Sequence, residues 1–436
     1  MTSASLPRVS VVGLGKLGAP LAAVLASRGF SVVGLDVNKT FVDAMNAGKM
    51  PIVEPQLNEL IAANRERLTA TMDANEAIQK SDASFVIVPT PSDSTGFFSN
   101  RFVLQAMETL GKALKAKQGY HMVVITSTVM PGTTDTEIKS ALEKASGRKV
   151  GPDLGLCYNP EFIALGSVVR DMLFPDSILI GESDSKAGDM LQTIYLQMCE
   201  NKPPVHRMNF VNAELTKISV NTYVTTKISF ANMLAEICER LKGADVQVVT
   251  QALGKDTRIG GKYLQGALGF GGPCFPRDNI AFGKMAERVG ARADIALAGE
   301  AINKHQIDRI TSLVRKNLDA SREVAVLGMA YKPDTPVVEE SQGVMIAHDL
   351  AASGVSVVVY DPLAMEGARW ALKDNVRYAQ SLDDAIANAS TIVISTPCKE
   401  FAEAGAQLRK PGVTVIDCWR VLGAEPGEGV VHVGRG

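Results

Sequence analysis

The chain has 436 residues, 46% hydrophobic and 21% charged, with a net charge of −2. That length gives room for two or three domains with large cores, and the near-neutral balance gives no reason to expect nucleic acid or an anionic membrane as a partner. Six cysteines (157, 199, 238, 274, 398, 418) form no close pairs and five histidines form no cluster, so no disulfide framework, metal centre or histidine-based triad is expected, and a reducing cytoplasm is.

Met1 to Arg8 is polar and leads straight into a strand, unlike a signal peptide. No apolar run reaches the roughly 18 residues of a membrane helix. Val9 to Gly13 reads as a buried strand, followed at once by Gly13-Leu14-Gly15-Lys16-Leu17-Gly18 and an alanine- and leucine-rich helix to about Arg28. Ser31 to Leu35 is a second strand, with Asp36 at its end. This is the dinucleotide fingerprint in its required context. Gly13 makes the turn, Gly15 admits the pyrophosphate to the backbone, and Gly18 allows close helix–strand contact. The helix N-terminus faces the phosphates. Asp36 would accept bonds from the adenosine ribose hydroxyls and repel a 2′-phosphate, so NAD is expected rather than NADP.

Further strands are predicted at Phe85–Pro89, Met122–Thr126, Leu154–Tyr158 and Ile178–Ile180, with helical segments between, which means a parallel α/β sheet. Thr90-Pro91 and Ser127-Thr128 then fall at strand C-termini, where ligands of such sheets bind. From about Asn212 to Lys242 there is no Gly or Pro, and apolar residues recur at helical spacing. That predicts a helix of roughly 30 residues, about 45 Å long, which suits a spine between domains and an oligomer surface; most of its apolar stripe is expected to be core.

Gly269-Phe270-Gly271-Gly272-Pro273-Cys274-Phe275-Pro276-Arg277-Asp278 sets a cysteine after a glycine-rich loop and at a helix start, with Pro276 as the first helical residue. The helix dipole and Arg277 favour the thiolate, which is the nucleophile. Asp278, four residues on, shares a helical face with Cys274. The last segment repeats the opening theme: strands at Glu323–Gly328, Val355–Tyr360, Thr391–Ser395 and Val413–Asp417, a helix at Ser341–Ala352, and Asp361 in the place of Asp36. Gly328-Met329-Ala330-Tyr331-Lys332-Pro333 replaces the fingerprint, so this copy should hold something other than an intact dinucleotide, with Lys332 as its phosphate-facing cation.

With these residues in hand, the chain resembles the UDP-glucose/GDP-mannose dehydrogenase family from about residue 8 to about 425. The resemblance is carried by the fingerprint, Val53-Glu54-Pro55, Ser127-Thr128-Val129, Asn159-Pro160-Glu161-Phe162, Ala213-Glu214-Leu215-Thr216-Lys217, Arg258-Ile259-Gly260, the cysteine loop and Tyr331-Lys332-Pro333-Asp334-Thr335. Pro273, where the N-acetylhexosamine branch has histidine, resembles the UDP-glucose branch. The resemblance implies an α/β chain: two Rossmann-like doubly wound parallel-sheet domains joined by a long central helix and a helical dimerisation region. Its parts would be an NAD-binding domain at 1–200, a central domain with the cysteine loop at 201–305, and a sugar-nucleotide domain at 306–436, in a cytoplasmic homodimer.

It also implies a four-electron oxidation of a C6 alcohol to an acid, using two NAD in turn, with UDP-glucose as the leading substrate and GDP-mannose or a UDP-N-acetylhexosamine as alternatives. Cys274 would hold the aldehyde as a thiohemiacetal and then a thioester. Lys217 and Asn221, one helical turn apart, would stabilise an oxyanion, or Lys217 would act as base for the alcohol. Glu161 matches the base for water or thiohemiacetal, Thr128 the residue that orients water, and Asp278 the aspartate that bonds Lys217 or water. The cofactor would touch Gly13, Gly15, Lys16, Leu17, Gly18, Asp36, Thr90, Pro91, Ser127 and Thr128. For the sugar nucleotide the match gives Glu161, Phe162, Lys217 and Asn221. It also gives Tyr263, Phe270 and Gly271 near base and sugar, Lys332 and Arg420 near the diphosphate, and Arg258 reaching a neighbouring subunit's site. Two departures stand out. Leu165 replaces a second glutamate, and Glu339 puts an acid where an arginine usually approaches the NAD phosphates. Those departures leave a binding homologue without turnover as a further alternative; a two-electron hydroxyacid dehydrogenase is disfavoured, since it needs neither Cys274 nor the second Rossmann-like half.

Overall fold

Buried apolar runs of four to five residues become the central strands. The computed structural model describes residues 6–163, 165–319 and 321–436. The chain forms two compact units and passes from the first to the second after Ser219.

Among the described residues, the first unit holds eight strands: β1 (Val9–Val12), β2 (Val32–Leu35), β3 (Leu68–Thr71), β4 (Ala83–Val86), β5 (His121–Ile125), β6 (Leu154–Tyr158), β7 (Ile178–Glu182) and β8 (Val205–Met208). Their order is β3-β2-β1-β4-β5-β6-β7-β8. Val11 pairs with Gly34 on one side and Phe85 on the other. Alternate residues face opposite ways, as a strand requires: Val11, Phe85 and Val124 enter one core with Leu21 and Leu25, and Val12, Val86 and Val123 enter the other with Leu156 and Phe210. The first six strands run parallel, so the C-terminal ends of β1, β4, β5 and β6 open on the same edge. The expected parallel sheet changes direction beyond them: β6 pairs with β7 antiparallel, and β8 is parallel to β7. Apolar patterning carries no sign of strand direction.

Among the described residues, the second unit has six strands, all parallel: β9 (Glu323–Leu327), β10 (Val357–Tyr360), β11 (Arg377–Tyr378), β12 (Ala389–Ile394), β13 (Thr414–Asp417) and β14 (Val430–His432). Their order, β11-β10-β9-β12-β13-β14, repeats that of the first six strands of the other sheet, as the internal sequence repeat requires. The same unit contains the helices Val246–Lys255, Phe275–Arg288 and Asp294–Lys316.

The long helix is Phe210–Cys238, ending four residues before the predicted Lys242. Beyond it the backbone tightens, with Arg240 bonding back to Ile237 and Leu241 to Cys238, before Gly243 turns at φ +80°. Its apolar stripe is only partly core: Ile218 is fully buried, while Leu215, Tyr223, Met233, Ile237 and Leu241 are exposed. Leu215, Tyr223, Phe230, Met233 and Ile237 share one face and are 38–64% exposed, while the buried side chains include Phe210, Ala213, Glu214, Ile218, Asn221, Thr225, Ala231 and Asn232. On the buried side, small and polar groups let the helix lie close to its neighbours and hydrogen-bond there, with Phe210 and Ile218 as large apolar groups among them.

Candidate active site

The glycine turn after β1 is built for an open cradle. Gly13 has φ +95°, and a Cβ there would meet Ile87 O at 2.1 Å. A Cβ on Gly18 would meet Gly13 O at 1.7 Å, whereas one on Gly15 would meet nothing within 4 Å. The helix Gly18–Ser27 begins here, its first N–H groups unpaired within the helix; Lys16 is exposed and Leu17 half-buried. Asp36 accepts N–H bonds from Leu14 (2.6 Å) and Asn38 (2.7 Å) and stays partly exposed, so its carboxylate has lone pairs left for a ribose. Thr90 Oγ1 donates to Thr128 O at 2.8 Å. Ser127 Oγ donates to Val88 O at 2.7 Å and accepts from Val88 N at 2.9 Å. Thr90, Pro91, Ser127 and Thr128 are thus gathered past the ends of β4 and β5. Open backbone at Gly15, a helix N-terminus and a spare acceptor at Asp36 fit a dinucleotide.

Past β6, the Asn159–Phe162 segment meets the long helix. Lys217 Nζ donates to the backbone carbonyl of Glu161 at 2.7 Å and lies 4.7 Å from the centre of the Phe162 ring. Lys217 is buried while Phe162 is 39% exposed. The Glu161 carboxyl bonds the Tyr195 hydroxyl at 2.8 Å. Burial pushes this carboxyl above the usual range, against the Lys217 charge and against any phenol proton donated to it. Glu54 accepts from Gly166 N (3.0 Å) and Val168 N (2.7 Å), tying down the loop that follows. Leu165, in the place of the second glutamate, packs against the first core. Glu214 is fully buried and accepts from Gly132 N (2.6 Å) and Thr134 N (2.8 Å), joining the long helix to the segment after Thr128.

In the second unit, Asn221 Nδ2 donates to Asp278 Oδ2 at 2.7 Å, and Arg277 approaches Asp278 Oδ1 at 3.3 Å. Asp278 is 1% exposed; Cys274 is exposed. Cys274 is the N-cap of the Phe275–Arg288 helix, so Pro276 stands at its second position, one later than expected. Its location still places the sulfur at the positive end of the dipole. The loop before it needs its glycines. A Cβ on Gly271 would meet Glu340 O at 2.1 Å, and Gly272 has φ +83° with the Tyr331 ring 2.5 Å from where a Cβ would stand. Burial, with Cys274 and Tyr263 nearby, pushes the Tyr331 hydroxyl up to about 12. Tyr263 is exposed at φ +61° and meets the Phe275 ring edge-on at 6.1 Å.

Phe270 is 4% exposed. Asn303 clamps its backbone, accepting from Phe270 N at 2.7 Å and donating to Phe270 O at 3.0 Å. Lys332 lies 6.0 Å from the centre of the Tyr331 ring. Arg258 is exposed and forks onto Asp256 at 2.6 Å. Arg420, expected near the diphosphate, is enclosed. At φ +60°, its side chain is 6% exposed, 3.2 Å from Asp245, with His432 Nδ1 at 2.6 Å. A ligand phosphate there would compete with a carboxylate. Tyr195, Glu214 and Asn303 were not among the expected site residues. Glu214 lay inside a quoted motif; Tyr195 and Asn303 carried no signal, because single residues in ordinary helices reveal their partners only in the fold.

Three family models cover most of the chain. Residues 7–199 match the NAD binding domain of the UDP-glucose/GDP-mannose dehydrogenase family, 211–305 its central domain, and 325–424 its UDP binding domain. UDP-glucose 6-dehydrogenase AglM of Haloferax volcanii is 37% identical over 398 residues, 90% of this chain and 92% of the relative. GDP-mannose 6-dehydrogenase of Azotobacter vinelandii is 32% identical over 425 residues, 94% of this chain and 96% of the relative. The structure of a UDP-glucose dehydrogenase from the archaeon Pyrobaculum islandicum superposes with TM-score 0.91 at 34% identity, covering 100% of this chain and 99% of that one.

Proposed function

The chain belongs to the UDP-glucose/GDP-mannose dehydrogenase family, and we propose that the sugar nucleotide it oxidises at C6 is UDP-glucose, giving UDP-glucuronate. It is an NAD-dependent nucleotide-sugar 6-dehydrogenase. NAD, when bound, supplies the hydride acceptor for each of two oxidations. The observation that carries the four-electron course is Cys274, an exposed thiol at the positive end of a 14-residue helix. UDP-glucose is favoured by the 37% identical relative and by the similarity to the Pyrobaculum enzyme.

In this reading Lys217 and Asn221 polarise the reacting oxygen. The Cys274 sulfur adds to the aldehyde carbon; a C–S bond forms and the oxygen takes a proton. The second oxidation removes that proton and a hydride, leaving a thioester. Water, oriented by Thr128 and deprotonated by Glu161, attacks the thioester carbon; the C–S bond breaks, the acid leaves and the thiol regains its proton. Asp278 holds the Asn221 amide in orientation. Gly13, Gly15, Lys16, Leu17, Gly18, Asp36, Thr90, Pro91 and Ser127 hold the cofactor; Phe162, Arg258, Tyr263, Phe270, Gly271 and Lys332 hold the sugar nucleotide, and Arg420 joins them only where the ligand displaces Asp245.

The three family matches support a functional division into 1–200, 201–305 and 306–436. The exposed apolar face of the long helix supports a homodimer. No helix among the described residues is long and apolar enough to cross a membrane, and a cytoplasmic location is part of the proposal. The test is NADH release from UDP-glucose, UDP-N-acetylhexosamines and GDP-mannose. Two NADH per UDP-glucose, with slower turnover of the others, is the expected result. Faster turnover of GDP-mannose would move the chain to the other named branch, and one NADH per sugar would remove the thioester.

A further inference from the structure

Asn159, Tyr195 and Glu161 form a row of three side-chain oxygens. Tyr195, on the Ser185–Met198 helix, is 2% exposed. Its hydroxyl contacts Asn159 Oδ1 on one side and Glu161 Oε1, at 2.8 Å, on the other. The Asn159 amide is oriented from its far end, where Nδ2 donates to Leu179 O at 2.8 Å. An acceptor, Oδ1, therefore faces the phenol.

Three oxygens in successive hydrogen-bond contact need two protons between them. Tyr195 brings one, and burial beside a carboxyl makes it hard to remove. The Asn159 oxygen brings none. If Glu161 were ionised, the one phenol proton would face two acceptors, and a buried oxygen would sit against another oxygen's lone pair. We infer that Glu161 rests as a neutral carboxylic acid, its proton donated from Oε1 to Tyr195 Oη, while Tyr195 donates to Asn159 Oδ1. Tyr195 is then a positioning residue that acts through Glu161.

Among the described residues, three groups are seen to bear on this carboxyl. The Tyr195 phenol comes from one helix. The Lys217 ammonium comes from the long helix, bonded to the Glu161 backbone carbonyl, and it favours the anion. The Cys199 thiol is the third, its own proton held more tightly by burial and by Glu161. Burial of Glu161 itself works toward the neutral form.

The bearing on turnover rests on the acid–base role proposed above for Glu161. As the Cys274 sulfur bonds to the aldehyde carbon, the carbonyl pair moves to oxygen and that oxygen takes the Glu161 proton. The phenol proton then turns from Asn159 to the new carboxylate. When the thiohemiacetal is oxidised, its hydroxyl proton leaves to solvent; Glu161 stays ionised until it takes a proton from the water that attacks the thioester, and the row is then restored.

Infrared spectra of the ligand-free enzyme in D2O, recorded across a pH series, test the protonation state without any turnover. A neutral-carboxyl C=O band should be present near neutral pH and lost in Glu161→Gln. In Tyr195→Phe the band should titrate away at least about one pH unit lower, a tenfold change in proton affinity. The variant removes the acceptor that holds the neutral form. Absence of the band in the wild type overturns the inference. So does a midpoint in Tyr195→Phe that is unchanged or raised, because a phenol donating to the carboxylate would have favoured the anion. Circular dichroism checks the fold of each variant; should Tyr195→Phe not fold, Asn159→Ala frees the phenol proton for the carboxylate and must also lower the midpoint. A wild-type band with full turnover in Glu161→Gln would leave the proton assignment standing and retire the catalytic role of Glu161.

Discussion

Asp36 and Asp361 stand at the same place in the two sheets, one residue past β2 and β10, yet their carboxylates are engaged differently. Asp36 accepts from two backbone N–H groups and is partly exposed. Asp361 accepts from four, those of Met329, Ala330, Leu363 and Ala364 at 2.7–2.9 Å, and is 2% exposed. A carboxylate offers about four lone-pair sites. Asp36 can still meet a ribose; Asp361 is saturated by its own loops. The duplicated fold therefore keeps one dinucleotide site and turns the other acid into a loop anchor. Asp36→Ala should raise the KM for NAD about tenfold or more, from the loss of charged hydrogen bonds, and narrow the preference over NADP. Asp361→Ala should leave the KM for NAD unchanged and lower stability by at least about 3 kcal/mol, since four buried N–H groups lose their acceptor. Initial rates with both cofactors and urea unfolding check the pair, and equal NAD affinity in Asp36→Ala and wild type would remove Asp36 from the cofactor.

Cys274→Ala should reduce acid formation at least about a thousandfold, because no other step in the proposed course holds the aldehyde. Cys274→Ser should behave similarly, an alcohol being a poor nucleophile without a base beside it. Both should bind sugar nucleotide and NAD with affinities close to wild type by calorimetry. A variant that still releases two NADH per sugar would show that the aldehyde passes through without a covalent bond to Cys274.

The fingerprint, the internal repeat and the cysteine loop were legible because each is a local pattern with a physical cause: a turn that only glycine fits, a buried four-residue run, a proline opening a helix. The edge strands were not. β3 is Leu-Thr-Ala-Thr with one buried residue, β11 has two residues, and β8 is half-exposed, so none shows a buried apolar run. The stripe on the long helix was legible as a stripe, but a 3.6-residue period does not say what covers it. Within the site, the Asn221–Asp278 pair joins residues 57 apart in sequence, and the Asn159–Tyr195–Glu161 row depends on how one helix packs beside one strand end.

Glu214 should matter to both stability and pH response. Gln in its place has a single acceptor oxygen, so either Gly132 N or Thr134 N loses its partner, at about 1–3 kcal/mol. The Glu214 carboxyl is pushed above the ordinary value of 4.5 by burial, with the bonds from Thr134 and Gly132 opposing. A carboxyl raised on folding binds its proton more tightly in the native state. Its contribution to stability is therefore full below the unfolded value and is lost as pH rises through the folded one. The wild type should lose stability on that rise, and Glu214→Gln should show a flatter profile. Urea midpoints across pH measure both, and parallel profiles would mean that Glu214 titrates alike in the folded and unfolded chain.

The exposed face of the long helix sets the last expectation. Tyr223, Phe230 and Ile237 follow one another at seven-residue spacing on the side that also carries Leu215 and Met233, and they are 64%, 43% and 44% exposed. Side chains of this size on one face, in a single chain, mark a surface that another protein covers. A second copy of the same helix, related by a two-fold axis, would set each stripe against its twin and bury both. The wild-type chain should sediment as a dimer at micromolar concentration. Phe230→Asp should shift it toward monomer, because two aspartates near the axis would face each other in an apolar contact at a cost of several kcal/mol. Asp at Trp370, which is 82% exposed on a separate helix, should leave the dimer intact. A wild-type monomer would leave the stripe without its proposed cover. A dimer unchanged by Phe230→Asp would place the interface on another face.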